Sequence, residues 1–75
     1  MIALNELPVG KKGIIRTISG GHGLVQKLDV LGIHKGTEIT KISTQWMRGP
    51  VTIRYGSSEV AIGHKMAMKI MVEPE

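Results

Sequence analysis

The 75-residue chain contains no cysteine and no phenylalanine, and its only aromatic residues are one tryptophan and one tyrosine. Without thiols it can form neither a disulfide nor a thiolate metal site, which fits a cytoplasmic location. With two aromatic rings it can hardly supply the stacking platforms of single-strand nucleic-acid binders. No apolar run approaches the roughly 20 residues of a membrane span. Because Asn5, Glu6 and Pro8 interrupt the first apolar segment, we expect no signal peptide.

The chain is small and basic. Ten basic residues against six acidic residues give a net charge of +4, which suits nucleic acid, anionic lipid or an acidic protein surface as a partner. The basic residues are spread along the chain without interleaved aromatic residues, so nucleic acid is not expected as a partner. A chain of this length can build one core, and we expect a single domain over residues 1–75.

Short segments rich in β-branched residues predict about five strands, at 13–18, 37–43, 51–55, 59–62 and 70–72. Ile39 and Ile42 lie three residues apart, so they can share a face of the sheet only if a β-bulge bends the strand. Short strands at this spacing predict a mainly β fold, a small closed barrel. One short helix after the first strand favours an SH3-like barrel over an OB fold. The segment 63–68 is predicted as a 3₁₀ turn before the last strand.

The segment 24–31 predicts the helix, and the residues that follow predict how it ends. Leu28 and Leu31 lie three apart and share one helix face. Gly32 stands where a helix end needs a residue with positive φ, and Ile33 can fold back onto the last turn, as in a Schellman motif. Gly36 then predicts a tight turn before the second strand.

Residues that could carry catalysis or bind metal are sparse. His22, His34 and His64 match no local metal motif, so three solvated turn histidines are the simplest interpretation, with a weak, open transition-metal site as the alternative. The glycine loop 20–23 precedes the helix but lacks the residues of a phosphate-binding loop. We therefore expect no enzyme activity, no cofactor and no dedicated metal ligands.

Trp46, Met47 and Arg48 follow one another in the predicted hairpin loop 44–50. A large ring, an adaptable thioether and a planar cation are the usual content of an interface hot spot. The alternative is that the ring of Trp46 covers one open end of the barrel. Together with Lys27, on the exposed face of the helix, these three residues are the predicted partner-binding residues.

The order of leucines, glycines and isoleucines along the chain resembles that of the FeoA family, the small cytoplasmic components of bacterial ferrous iron uptake systems. The resemblance runs from Leu4 to Val72. The matching pieces are Leu4-x-x-Leu7-x-x-Gly10, Gly13-Ile14, Leu28-x-x-Leu31-Gly32-Ile33-x-x-Gly36-x-x-Ile39, Gly49-Pro50-Val51-x-Ile53, Val60-Ala61-Ile62 and Ala67-x-x-Ile70-x-Val72. Two positions depart from the family pattern, since Lys27 and Gly63 stand where many members carry arginine.

This resemblance implies an SH3-like barrel with a helical insertion, a domain that also forms the C-terminal module of iron-dependent repressors. It implies a non-enzymatic accessory or regulatory protein that acts by contact with FeoB, a membrane ferrous iron transporter with a GTPase domain. Association with further copies of the chain is open. The alternative function is a metal-sensing module of the repressor type that binds a transition metal weakly.

Overall fold

The computed structural model describes residues 1–44 and 49–75. These residues form six strands, β1 (Ile2–Ala3), β2 (Lys12–Ile18), β3 (Glu38–Thr44), β4 (Val51–Tyr55), β5 (Ser58–Ile62) and β6 (Ile70–Pro74). Helix α1 spans His22–Val30, the short helix α2 spans His64–Ala67, and a 3₁₀ turn covers Leu4–Glu6. All strands pair antiparallel in one sheet, in the order β1-β6-β2-β3-β4-β5. The predicted mainly β fold is confirmed.

The core lies on the inner face of this sheet. In β4, Val51 and Ile53 are fully buried and Tyr55 is half-buried, as the alternating sequence predicts. Helix α1 contributes Leu28 and helix α2 contributes Ala67 to the same core. The buried apolar residues are Leu4, Leu7, Ile15, Leu28, Ile33, Ile39, Val51, Ile53, Ile62, Ala67, Ile70 and Val72.

The predicted bulge in the second long strand is present, but it does not bring Ile42 into the core. The pairing register between β3 and β4 shifts between Lys41 and Ser43. Because the bulge follows Lys41, the alternation that starts at Ile39 continues to Lys41, which is 3% exposed. Ile42 is only half-buried.

Three details of the predicted architecture are wrong. The strands number six because Ile2 and Ala3 pair with Val72 and Met71, so the helix follows the second strand. The order of the described strands ends at β1 and β5, which are not neighbours, so hydrogen bonding leaves the barrel open there. The segment before the last strand is a turn of α-helix, since the Met68 N–H donates to the carbonyl oxygen of His64 at 3.0 Å. Burial of Ala67 stabilises a helix that is too short to form alone.

Candidate interaction site on helix α1

A Schellman motif fixes the end of α1 against the core. Gly32 has φ +85°, its N–H donates to the carbonyl oxygen of Asp29 at 2.9 Å, and the Ile33 N–H donates to that of Leu28 at 2.9 Å. The Leu28 and Ile33 side chains are both buried, which supplies the apolar contact typical of this motif. The predicted helix stop is confirmed.

Side-chain and backbone bonds tie this end of α1 to the sheet. The Tyr55 hydroxyl, on β4, donates to the carbonyl oxygen of Leu31 at 2.6 Å. The Gly36 N–H, in the following turn, donates to the carbonyl oxygen of Ile15 on β2 at 2.7 Å. The end of α1 is therefore held by two strands as well as by its own cap.

Helix α1 and its cap leave three apolar side chains exposed to solvent. Leu28 is the single fully buried residue among its nine, all of which are described. Val30 is 85% exposed, and Leu31 and Val25 are 44% and 37% exposed. Isolated exposed apolar residues are ordinary, and Val25 lines a different depression from Val30. Val30, the most exposed of the three, marks a candidate interaction site together with the side chains beside it.

Lys27 lies beside Val30 on this helix. The two are three residues apart, so they share a face, and both line a shallow depression of about 460 Å³ with Gly23, Gln26 and Asp29. We call these five residues the α1 surface. Within residues 1–44 and 49–75 Lys27 has no ion pair. Two arginines do have one: Arg16 Nε lies 3.1 Å from Glu73 Oε1, and Arg54 Nη2 lies 2.7 Å from Glu59 Oε2. The predicted exposure of Lys27 is confirmed, and its ammonium is available to a partner.

Sequence reasoning missed Val30. A valine at the end of an apolar segment is typical of the core, and its spacing of three from Lys27 indicates the outer face only once the docking of Leu28 is known. The other predicted partner-binding residues, Trp46, Met47 and Arg48, lie outside the described residues, so their role stays a prediction.

None of the three histidines lines the α1 surface, and they lie at the starts of two different helices and in a turn. His34 lies in a turn, as predicted, with Nδ1 at 3.3 Å from the Thr37 hydroxyl oxygen, but His22 and His64 are the first residues of α1 and α2. In the described part of the chain no three side chains of histidine, aspartate or glutamate come together as metal ligands. None of the described helices is long and apolar enough to cross a membrane.

The sequence model of the FeoA domain matches residues 2–74. The chain is 42% identical over 64 residues to a protein of Methanocaldococcus jannaschii named Fe(2+) transport protein A, which covers 85% of this chain and 76% of the relative. It superposes with a TM-score of 0.87 on the crystal structure of an iron uptake regulatory protein (FeoA), at 35% identity over 99% of this chain and 96% of that one.

A more distant structure shows the fold. FeoA of Stenotrophomonas maltophilia, solved with zinc and described as a prokaryotic SH3 domain protein, superposes with a TM-score of 0.81 at 21% identity, over 97% of this chain and 91% of that chain. A role as a ferrous iron transport activating factor has been suggested for that protein. The SH3-like fold predicted from the sequence is confirmed.

Proposed function

We propose that this chain, which belongs to the FeoA family, is a non-enzymatic accessory protein that regulates a ferrous iron transport system. It acts in the cytoplasm by contact with a FeoB-type membrane transporter that carries a GTPase domain. The family match over residues 2–74 and the name of the Methanocaldococcus jannaschii relative support a role in iron transport. The α1 surface supports action by contact rather than by catalysis.

One observation carries the proposal: the apolar residue Val30, which is 85% exposed, lies beside Lys27 on a helix whose end is fixed. Lys27 has no ion pair within the described part of the chain. Burying a valine side chain at an interface stabilises it by about 1.5–3 kcal/mol. Because the Schellman motif already orders the helix end, little ordering entropy opposes binding. A partner with an apolar pocket next to an acidic group matches this surface.

The sequence predicts a second part of the contact. Trp46, Met47 and Arg48 have the composition of a hot spot, and we include them with Lys27 in the partner-binding set. Neither part depends on the other, so each can be tested by its own substitutions.

The test measures ferrous iron uptake in cells that lack the native protein and co-purification with FeoB. Lys27→Glu and Val30→Asp change the α1 surface, and Trp46→Ala and Arg48→Glu change the second part. Lys11→Glu and Val9→Asp are matched controls, because Val9 is 59% exposed and both lie in the turn before β2. We expect folded α1 variants with reduced uptake and reduced co-purification, and controls that behave as wild type. If all four folded variants keep normal uptake and normal co-purification, contact through these residues is excluded.

The metal-sensing alternative has less support. It rests on the fold shared with repressor modules, and no three of the described histidine, aspartate and glutamate side chains come together as metal ligands. A titration with ferrous iron and zinc separates it from the accessory role.

A further inference from the structure

A groove lies where the 3₁₀ turn meets helix α2, and it shares no described lining residue with the α1 surface. It has a volume of about 690 Å³, within the range of peptide and small-ligand sites, and its described lining residues are Asn5, His64, Lys65 and Met68. Asn5 belongs to the 3₁₀ turn, and the other three belong to α2 and its cap.

Both walls of this groove are anchored in the core. Leu4, the first residue of the turn, and Leu7, which follows it, are fully buried, and Ala67 holds α2 in the same way. The carbonyl oxygen of Asn5 accepts a hydrogen bond of 2.9 Å from the Lys41 ammonium. A ligand would therefore meet a surface that is already ordered, which lowers the entropic cost of binding.

Two lysines lie at the groove without a carboxylate partner among residues 1–44 and 49–75. Lys41, a residue that is 3% exposed, places its ammonium behind the Asn5 wall, where it donates to a carbonyl oxygen rather than to a carboxylate. Lys65 is exposed on the rim, and neither lysine has an ion pair among the residues described. The nearest carboxylate in sequence, Glu6, accepts a bond from the Ala3 N–H at 3.3 Å. The Lys41 ammonium is hydrogen-bonded to a neutral group, so its positive charge still acts on the groove and favours an anionic ligand there.

Met68 adds an apolar contact. Its side chain is 53% exposed, and an unbranched thioether adapts to differently shaped apolar groups. None of the four described lining residues is an aromatic base-stacking platform. The combination of a cationic rim and one apolar contact fits a peptide carrying both acidic and apolar side chains better than a nucleic acid.

We infer that this groove binds an extended acidic peptide segment of a partner protein, with a carboxylate on Lys65 and His64 and an apolar side chain against Met68. This site does not depend on the α1 surface. If the groove does not bind the peptide, the proposed contact through α1 is unaffected. If the α1 surface makes no contact, peptide binding by the groove is equally unaffected.

The test is an amide NMR titration of the isotope-labelled protein. The probe is an N-acetylated, C-amidated peptide of alternating glutamate and leucine, about eight residues long, which at roughly 3.3 Å per residue crosses the groove. A peptide with glutamine in place of glutamate controls for charge. Lys65→Glu tests the rim, Lys65→Gln guards against an effect of charge reversal on folding, and Lys11→Glu is the matched control.

We expect shifts concentrated at residues 4–6 and 64–69, and binding weakened about fivefold or more by Lys65→Glu or by the glutamine peptide, as for the loss of one or two exposed ion pairs. Lys11→Glu should change the affinity by less than about twofold. Absence of shifts, shifts centred on α1, or equal effects of Lys65→Glu and Lys11→Glu would each overturn the inference. Tighter binding of an oligothymidylate at the same residues would overturn the choice of a peptide.

Discussion

The hydroxyl of Tyr55 donates a hydrogen bond of 2.6 Å to the carbonyl oxygen of Leu31. Leu31 is the cap of α1, and its carbonyl is one of those that a helix end leaves without an intrahelical donor. A side chain of β4 therefore supplies the hydrogen-bond donor that this carbonyl oxygen lacks, at the end of the helix that carries Lys27 and Val30.

Tyr55→Phe is expected to loosen the end of α1 without changing the fold. It removes one hydrogen bond, which contributes about 1 kcal/mol to stability, so the melting temperature should fall by roughly 4–8 °C in a domain of this size. Amide hydrogen exchange at Gly32 and Ile33 should accelerate more than exchange in β2 and β6. Equal acceleration in all of these segments would contradict a local role.

Gly32→Val is expected to destabilise the protein severely. The backbone has φ +85° there, and an added Cβ would also lie 3.4 Å from Tyr55 Cε2. A β-branched residue in this conformation costs on the order of 1–3 kcal/mol, a large share of the stability of a small domain.

Thermal denaturation checks this expectation. Gly63→Ala is a suitable control, because Gly63 has φ −57° and open space around its Cβ position. Gly32→Asn should lose less stability than Gly32→Val, since asparagine tolerates positive φ. A melt of Gly32→Val within a degree or two of wild type would refute the helix-stop assignment.

Lys41→Met is expected to lower stability at neutral pH. The methionine fills similar space but leaves the Asn5 carbonyl oxygen without its donor, at a cost of about 1–2 kcal/mol. Chemical denaturation measures the change, and Lys11→Met, at an exposed position, should differ from wild type by less than about 0.5 kcal/mol. A Lys41→Met protein as stable as wild type would show that the bond adds nothing net.

The difference in stability between wild type and Lys41→Met should grow at alkaline pH. Desolvation by burial lowers the pKa of Lys41 below its ordinary value of 10.5. Between the lowered pKa and 10.5 the unfolded chain binds more protons than the folded chain, so this lysine's contribution to stability rises with pH. The difference in unfolding free energy between wild type and Lys41→Met should therefore grow across that window. A constant difference would contradict the pKa direction.

Anaerobic titration with ferrous iron and zinc is expected to show no binding tighter than about micromolar, because isolated imidazoles bind such ions weakly. Calorimetry of wild type and of His22→Ala, His34→Ala and His64→Ala measures this directly. A stoichiometric submicromolar site lost on replacement of one histidine would support the metal-sensing alternative instead.

Local features were predictable because short-range chemistry produces them. Gly32 and Ile33 predict the helix stop from positive φ and one apolar contact, and Val51 and Ile53 predict the buried face of β4 from their alternation. The pairing of Ile2 with Val72 was not predictable, since a two-residue strand has no pattern of its own and forms only where a partner strand already lies. The helix at α2 was mistaken for a 3₁₀ turn for a similar reason, because burial of Ala67 stabilises it.

The candidate binding residues show the same contrast between features that local sequence predicts and features that tertiary packing decides. The exposure of Lys27 followed from its helix position, but the exposure of Val30 did not, because a helix this short shows its outer face only once Leu28 has docked. The sequence by itself determined where the chain turns, where helix α1 stops and which family it resembles. The tertiary structure alone decided that Lys41 is buried against Asn5 and Val30 exposed, because strand register and helix docking, which join residues far apart in sequence, select the face that each side chain occupies.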